Sequence, residues 1–127
     1  MIRVVAAVIR NNNRLLLGQR PQHKRHGGLW EFPGGKIEPD ETVYQAIARE
    51  LKEEMGLVVS GIGECLHSVH DPGSIFRIEF TETFASGEAR AMEHQAIGWF
   101  TVTQLQTMNL APSDRLFLDH LVNNHEC

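Results

Sequence analysis

The sequence predicts a single α/β domain in which a mixed β-sheet is sandwiched between α-helices. Two observations carry this prediction. The chain has 127 residues, which fits one domain with an apolar core of its own. Along it, extended and helical patterns follow one another as hairpin, helix, several strands and helix. We find no repeat, linker or low-complexity tract, so residues 1–127 are expected to form one unit.

The first predicted element is a hairpin. Residues 3–9 (RVVAAVI) are apolar and rich in β-branched side chains, and the asparagines at 11–13 are turn candidates before the second apolar stretch at 15–20 (LLLGQR). A basic stretch follows. In residues 29–41 (LWEFPGGKIEPDE), glycine and proline separate short extended segments, which predicts a structured loop region.

A helix is predicted over residues 42–55. Thr42 and Gln45 can form a capping box, Asp40 is a rival cap, and Gly56 is the expected C-terminal stop. The apolar residues recur at three- and four-residue intervals: Tyr44, Ile47, Ala48, Leu51 and Met55.

The second half of the chain predicts three strands and a closing helix. Residues 61–70 and 75–84 are expected to form two strands joined around DPGS, and residues 97–102 (IGWFTV) a third. Residues 112–124 (PSDRLFLDHLVNN) predict a helix with Ser or Asp as its cap. Its predicted apolar face consists of Leu116, Phe117 and Leu121.

Composition excludes several classes of function. The 16 acidic residues outnumber the 12 Lys and Arg, and a formal charge of −4 argues against a protein that coats duplex nucleic acid. Two cysteines, Cys65 and Cys127, make neither a disulfide framework nor a Cys-based zinc site, which indicates a reducing cytoplasm. The N-terminal apolar run is too short for a membrane span and lacks a signal-peptide cleavage region, so we expect no export and no membrane partner.

Three carboxylates crowd one flank of the predicted helix. With Leu51 at zero and about 100° per residue, Glu54, Glu50 and Glu53 fall at about −60°, −100° and −160°. Glu54 is close to the apolar stripe, and a desolvated carboxylate costs several kcal/mol unless it is paired or bound to a metal. An ordinary solvated face, with ion pairs to neighbouring cations, is the simpler interpretation of such a charge run.

The loop before the helix favours a binding site. Residues 32–36 (FPGGK) contain two glycines, where backbone can closely approach a ligand or a metal, although an ordinary turn also uses Gly-Gly. Loop and helix together match the pattern G-x5-E-x7-R-E-U-x-E-E-x-G-U, where U is aliphatic. Since even Gly occurs at only about 7%, a chance match at every position is far below about one in a million. The matching residues are Gly35, Glu41, Arg49, Glu50, Leu51, Glu53, Glu54, Gly56 and Leu57.

This pattern resembles the signature of the Nudix hydrolases. Residues 31–42 (EFPGGKIEPDET) resemble in particular the MutT-like branch, which hydrolyses nucleoside triphosphates, and a looser similarity runs from Gln19 to about Leu118. The resemblance implies the Nudix fold and a loop-helix-loop that holds Mg²⁺, with Mn²⁺ as an alternative, against a diphosphate. Oxygen-rich sites of this kind suit magnesium.

The resemblance also implies a set of metal-binding and catalytic residues. Arg49 would orient the carboxylates, and Glu41 would be a more distant member. One carboxylate must also accept a proton from the attacking water, and Glu50, Glu53 and Glu93 remain open for this role. The implied metal ligands are the Gly34 carbonyl, Glu50, Glu53, Glu54 and Glu93.

The substrate-binding residues are predicted around the loop. Arg20 corresponds to an arginine that contacts the nucleotide in MutT-like relatives, Lys36 can act as a point charge on phosphate, and Glu31 is assigned to the same set. Phe32 either stacks on a base or packs under the loop. By the same resemblance, Asp114 lies where MutT-like enzymes place a polar residue that faces the base, commonly Asn in the members specific for 8-oxoguanine, and it could also serve as a helix cap.

Asp at this position bears on the substrate. An ionised Asp only accepts hydrogen bonds, so it would pair with an amino group of guanine or cytosine, which keeps CTP-type substrates open. The seven histidines, His67, His70 and His94 among them, lack zinc-type spacing and receive no role. Trp30 and Trp99 are expected in the core.

The predicted activity is Mg-dependent hydrolysis of nucleoside triphosphates to nucleoside monophosphate and pyrophosphate, with 8-oxo-dGTP as the leading substrate. The first alternative is an enzyme for CTP, dCTP or modified pyrimidine nucleotides. The second, of another class, is a non-catalytic module that binds a nucleotide or a damaged base. A cytoplasmic monomer or weak homodimer is expected, with a small nucleotide as its partner.

Overall fold

The computed structural model describes residues 1–124, so the prediction for Cys127 lies outside the described residues. Eight strands and three helices follow one another along this part of the chain: β1 (Ile2–Val8), β2 (Arg10–Asn11), β3 (Arg14–Gln19), β4 (Trp30–Glu31), β5 (Gly34–Lys36), α1 (Val43–Met55), β6 (Val58–His70), β7 (Phe76–Ser86), β8 (Ala96–Phe100), α2 (Val102–Gln106) and α3 (Pro112–Asn123).

The strands form two sheets rather than one. The first has the order β5-β1-β7-β6, with β1 and β7 parallel and the other pairs antiparallel, so it is the mixed sheet that the sequence predicts. In the second sheet, β3 pairs with β2, β4 and β8. The predicted mixed sheet with helices is confirmed, and the structure adds a second sheet to it.

Strand β1 is buried on both faces, which explains its continuous apolar sequence. Successive side chains of a strand point to opposite faces. Val5 and Ala7 accordingly pack in the cluster that contains the buried face of α1, while Ala6 and Val8 pack in the cluster that contains α3. The central sheet is therefore covered by a helix on each face.

The predicted N-terminal hairpin is correct only at its tip. Asn12 and Asn13 have φ of 50° and 69°, as a two-residue type I′ turn requires, and they join β2 to β3. Of the predicted pairing between residues 3–9 and 15–20, only the end at Ile9 forms, where the N–H of Leu16 donates to the carbonyl of Ile9 at 3.2 Å. Because both faces of β1 are apolar, this strand occupies the middle of the other sheet, between β5 and β7.

The ends of α1 agree with the prediction. Thr42 is the N-cap, and it forms the capping box with Gln45. Gly56 ends the helix with φ of 68°, in the left-handed region that favours glycine, and its N–H donates to the carbonyls of Leu51 and Lys52.

Three predictions near the C-terminus are corrected. The strand predicted through residue 102 ends at Phe100, because Thr101 forms a second capping box with Gln104 and starts α2. Helix α3 begins with Ala111 as N-cap and Pro112 in its first turn, so neither Ser nor Asp caps it. Its buried face is Phe117, Leu118 and Leu121, whereas Leu116 is 44% exposed.

Both tryptophans are partly buried against the core, as predicted. Trp30 packs edge to face on Phe100, with 5.1 Å between ring centroids, and Trp99 packs against the cluster below α1. Among residues 1–124, no helix combines the length and apolar character needed to cross a membrane.

Candidate active site

The two glycines of β5 allow close approach between the loop, β1 and α1. Gly34 pairs with Ala6, and a Cβ at Gly34 would collide with the carbonyl oxygen of Val5. A Cβ at Gly35 would lie 2.6 Å from the carboxyl carbon of Glu50. The loop backbone therefore lies directly against a helix carboxylate, which is where a metal-binding carbonyl is predicted.

Arg49 connects the loop, the helix and two carboxylates. Its Nε and Nη2 donate to the two oxygens of Glu41 at 2.7 and 2.8 Å, and its Nη1 donates to Oε1 of Glu50 at 2.6 Å. Nη2 also donates to the carbonyl of Lys36 at 3.0 Å. The hydrogen bonds from Arg49, with one from the Glu38 N–H, lower the pKa of Glu41 to about 2. Arg49 thus has the contacts that its predicted orienting role needs.

Glu54 is a buried carboxyl group. It is 5% exposed, which confirms the expectation that a carboxylate on this flank is desolvated. Burial is the main cause that raises its pKa to about 10, and the neighbouring Glu50, Glu31 and Glu93 contribute further. In the absence of a cation, the folded protein therefore holds a proton on Glu54 at neutral pH.

Glu93 reaches the carboxylates because its segment is tied to the end of α1. The N–H of Arg90 donates to the carbonyl of Met55 at 3.0 Å, and that of Met92 donates to the carbonyl of Glu54 at 3.1 Å. Both bonds satisfy carbonyls near the helix C-terminus. The exposed Glu93 follows directly after them.

A cavity of about 170 Å³ brings most of the predicted site together. On the metal side it is lined by Gly34, Glu50, Glu54 and Glu93, and on the substrate side by Arg20 and Glu31. Lys24 and His94 also line this cavity, although sequence reasoning assigned no role to either of them. Glu53 does not line this cavity; its side chain is 53% exposed, and its carboxylate lies 3.7 Å from Nη1 of Arg49.

A second cavity of about 300 Å³ adjoins the first and shares Arg20 and Glu31 with it. Lys36 lines this one, with its Nζ 5.4 Å from the centroid of the Phe76 ring. Asp71 and Phe76 were missed by sequence reasoning. Phe76 lines the cavity because β7 pairs in parallel with β1. The residues next to Phe76 in the sequence do not predict this long-range pairing.

Asp114, which lines the second cavity, is hydrogen-bonded to the backbone of Phe32. Oδ1 of Asp114 accepts a hydrogen bond from the backbone N–H of Phe32 at 2.8 Å, and burial raises the pKa of Asp114 well above its ordinary value. The Phe32 ring is 3% exposed and packs edge to face on Phe80 and Phe117. This geometry favours the packing interpretation of Phe32 over base stacking.

Glu31 has two partners. Its Oε1 accepts from Nη1 of Arg20 at 3.0 Å, and its Oε2 lies 3.0 Å from Nε2 of His94. The same His94 nitrogen is 3.7 Å from Oε1 of Glu54. The available sequence signal was that a histidine directly follows Glu93, a predicted metal ligand.

The donor set fits a hard divalent cation. Four carboxyl groups and the Gly34 backbone border one cavity, and burial raises the pKa of one of these groups, Glu54, to about 10. Carboxylate and carbonyl oxygens are the ligands that Mg²⁺ and Mn²⁺ prefer. The carboxyl groups are those of the predicted metal ligands Glu50, Glu54 and Glu93, and that of Glu31, which is predicted to contact the substrate.

Sequence comparisons agree with this geometry. A model of the NUDIX domain matches residues 1–121. The CTP pyrophosphohydrolase of Escherichia coli K12 is 41% identical over 117 residues, which cover 90% of this chain and 86% of that protein. A putative 8-oxo-dGTP diphosphatase 2 of Mycobacterium tuberculosis H37Rv is 35% identical over 115 residues, covering 88% of this chain and 82% of that protein.

Solved structures share the fold over nearly the whole chain. The solution structure of the E. coli ORF135 protein matches with a TM-score of 0.84 and 38% identity, covering 98% of this chain and 91% of that one. The crystal structure of a MutT NUDIX hydrolase from Burkholderia pseudomallei matches with a TM-score of 0.81 and 29% identity, covering 93% and 95%. The signature, the carboxylate cavity and the fold therefore agree with the comparisons: the chain belongs to the Nudix family and is a Nudix pyrophosphohydrolase.

Proposed function

We propose that this protein hydrolyses nucleoside triphosphates to nucleoside monophosphate and pyrophosphate with Mg²⁺, and that cytidine nucleotides are its first candidate substrates. The observation that carries the proposal is the carboxylate cavity beside a second cavity that contains the buried Asp114. The relatedness to a CTP pyrophosphohydrolase supports cytidine. The relative named as a putative 8-oxo-dGTP diphosphatase supports 8-oxo-dGTP as the second candidate.

The chain supplies the parts that hydrolysis of a phosphoanhydride needs. Bound Mg²⁺ would neutralise charge on the phosphate oxygens. Glu50 lines the cavity, is oriented by Arg49, and can accept the proton of the attacking water. Arg20 and Lys24 line the same cavity and offer positive charge to the phosphates.

The resemblance to MutT-like enzymes implies that the water oxygen attacks the β-phosphorus. A new P–O bond forms there as the bond to the bridging oxygen of the α-phosphate breaks. The monophosphate leaves with that oxygen, the water oxygen remains in pyrophosphate, and the proton passes to a glutamate. Glu93 remains an alternative acceptor, since it lines the same cavity from the exposed segment before β8.

A nucleotide panel tests the proposal. We expect pyrophosphate release from CTP and dCTP in the presence of Mg²⁺, slower release from unmodified dGTP, and no release after chelation. A higher kcat/KM for 8-oxo-dGTP than for CTP would reverse the order of the two candidates. Tight nucleotide binding without pyrophosphate release from any triphosphate would instead identify a non-catalytic binding module.

Replacing Asp114 with Asn is expected to remove a pH dependence of nucleotide choice. One oxygen of Asp114 already accepts from Phe32. Because burial raises its pKa, the carboxyl group holds a proton to a higher pH than usual and can then donate through its other oxygen. As pH rises through that pKa the donor is lost, whereas the amide of Asn donates throughout.

The measurement is the ratio of kcat/KM for CTP and 8-oxo-dGTP over a pH series. We expect this ratio to change with pH in the wild type and to stay constant in Asp114→Asn. Asp119→Asn on the exposed face of the same helix is the matched control. A ratio with the same pH profile in all three proteins would remove Asp114 from base recognition.

A further inference from the structure

His94 lies shortly before β8 and lines the carboxylate cavity. Its side chain is 4% exposed. The next residue, Gln95, donates its N–H to the carbonyl of Gln19 at 2.9 Å, and this bond fixes the segment against the end of β3. The position of His94 in the chain is thus set by a backbone hydrogen bond of its neighbour, independently of the contacts of the ring.

Gly18 on β3 provides the space for the ring. A Cβ at Gly18 would lie 2.5 Å from Cγ of His94 and 2.6 Å from Cδ2 and Nδ1. The ring is enclosed, so it cannot move aside cheaply to admit a side chain there. Glycine at this position is explained by the histidine rather than by its own backbone conformation.

The polar contacts of the ring all point to the site. Nε2 lies 3.0 Å from Oε2 of Glu31 and 3.7 Å from Oε1 of Glu54. Nδ1 is buried, and within residues 1–124 the structure gives it no hydrogen-bond partner. An unpartnered buried nitrogen destabilises the fold. An apolar side chain would fill this space without that cost, so packing alone does not account for a histidine here.

Glu31 is consequently fixed through both of its oxygens. Arg20 donates to Oε1, and the Nε2–H of His94 donates to Oε2. Glu31 lines both the carboxylate cavity and the adjoining cavity, so its orientation affects the junction between the two. His94 lines the carboxylate cavity itself and lies close to both Glu54 and Glu31. It therefore connects a predicted metal ligand with a predicted substrate-binding residue.

We propose that His94 is a positioning residue of the nucleotide site, which holds Glu31 at the junction of the two cavities, and that Gly18 is required to seat it. The proposal rests on the proposed function, because Glu31 is taken to contact the nucleotide. It adds a residue that acts on substrate binding through Glu31 and has no direct part in the chemical step.

Kinetics of His94 variants test this role. We expect His94→Leu to raise KM for the best nucleotide by about tenfold, the effect of losing one hydrogen bond to a charged group, with a much smaller change in kcat. His94→Gln, whose amide N–H can still donate to Glu31, is expected to restore most of the affinity. Gly18→Ala is expected to raise KM as His94→Leu does. Gly61→Ala is its matched control, because a Cβ there meets only ordinary contact with Phe84 at 3.9 Å.

A double-mutant cycle separates positioning from a purely structural role. If His94 acts through Glu31, then His94→Leu adds nothing to KM in a Glu31→Gln background. Independent, multiplying effects of the two changes would overturn the proposal. So would a KM equal to that of the wild type in a His94→Leu protein that folds, as judged by circular dichroism.

A second readout does not depend on turnover. In nitrogen NMR of isotope-labelled histidine, we expect His94 to carry its proton on Nε2, and Glu31→Gln to shift its ring signals. Glu79→Gln, which removes a different arginine-paired carboxylate, should leave them unchanged. Unresponsive His94 signals in a protein that hydrolyses nucleotides would overturn the positioning role alone. Responsive signals in a protein that hydrolyses none would overturn the proposed function and leave the His94–Glu31 contact established.

Discussion

Replacing Glu50 with Gln is expected to lower kcat for the best nucleotide by about 10²-fold or more, the usual loss when a proton acceptor is removed. Glu50 lines the carboxylate cavity, is held by Arg49 at 2.6 Å, and lies against the glycine loop. Gln keeps the size of the side chain and can still accept from Arg49, so the fold should be retained. Steady-state kinetics with pyrophosphate detection measure the effect.

Two comparisons sharpen this experiment. Glu53→Gln is expected to lower kcat less, because the Glu53 side chain is 53% exposed and does not line the cavity. The sequence alone left Glu50, Glu53 and Glu93 open as the acceptor and predicted a loss of about 10² or more for Glu53→Gln. Glu64→Gln, at an exposed position of β6, serves as the matched control and should leave kcat unchanged. If Glu50→Gln retains wild-type kcat with an intact fold, Glu50 is excluded as the proton acceptor and Glu93 takes its place.

Replacing Glu54 with Gln is expected to change how stability depends on pH and on metal. Burial raises the pKa of Glu54 from 4.5 to about 10 in the metal-free protein. Between these values the folded chain holds a proton that the unfolded chain has released, so the free energy of unfolding falls as pH rises, by at most about 1.4 kcal/mol per pH unit for one proton. Gln carries no such proton, and this part of the slope should disappear.

Thermal unfolding over a pH series, with and without Mg²⁺, measures the prediction. In the wild type, Mg²⁺ should raise Tm and displace the Glu54 proton, which calorimetry in buffers of different ionisation enthalpy detects. In Glu54→Gln, both the Mg²⁺ effect and the proton release should be much smaller. Asp114 adds a slope of the same sign in both proteins, so the difference between them isolates Glu54. Glu41, whose pKa is lowered to about 2, affects the pH dependence of stability only in acid, where its stabilising contribution is lost as the pH falls. Equal pH slopes in the two proteins would contradict the buried, protonated state.

Sequence reasoning succeeded where the signal is local. The ends of α1 were predicted because the Thr42–Gln45 box and Gly56 act within one helical turn. The carboxylate set was predicted because the spacing of Glu50 and Glu54 on one helix already fixes their relative direction. The structure brings both to a single cavity with Arg20 and Glu31, while their roles and the identity of the metal stay predictions.

It failed where a residue's role depends on a distant partner. Asp114 looked like a cap for its own helix, but its carboxylate binds the backbone of Phe32 instead. His94 received no role, because its neighbours Gly18 and Glu31 are far away in the chain. The same holds for β1, whose apolar run fitted a hairpin strand as well as a central strand.

The pairing of β1 with β7 has a consequence for the order in which the molecule assembles. Ile2 meets Phe76 across more than seventy residues of intervening chain, and contacts between such distant segments form late and slow folding. Helix α1 lies within that interval and can form earlier from local signals, with its acids still fully hydrated. The carboxylates of α1 already repel one another weakly at that stage, but Glu54 becomes desolvated and approaches Glu31 and Glu93 only in the folded protein. We therefore expect divalent cations to act mainly after the rate-limiting barrier, slowing unfolding while leaving the refolding rate nearly unchanged.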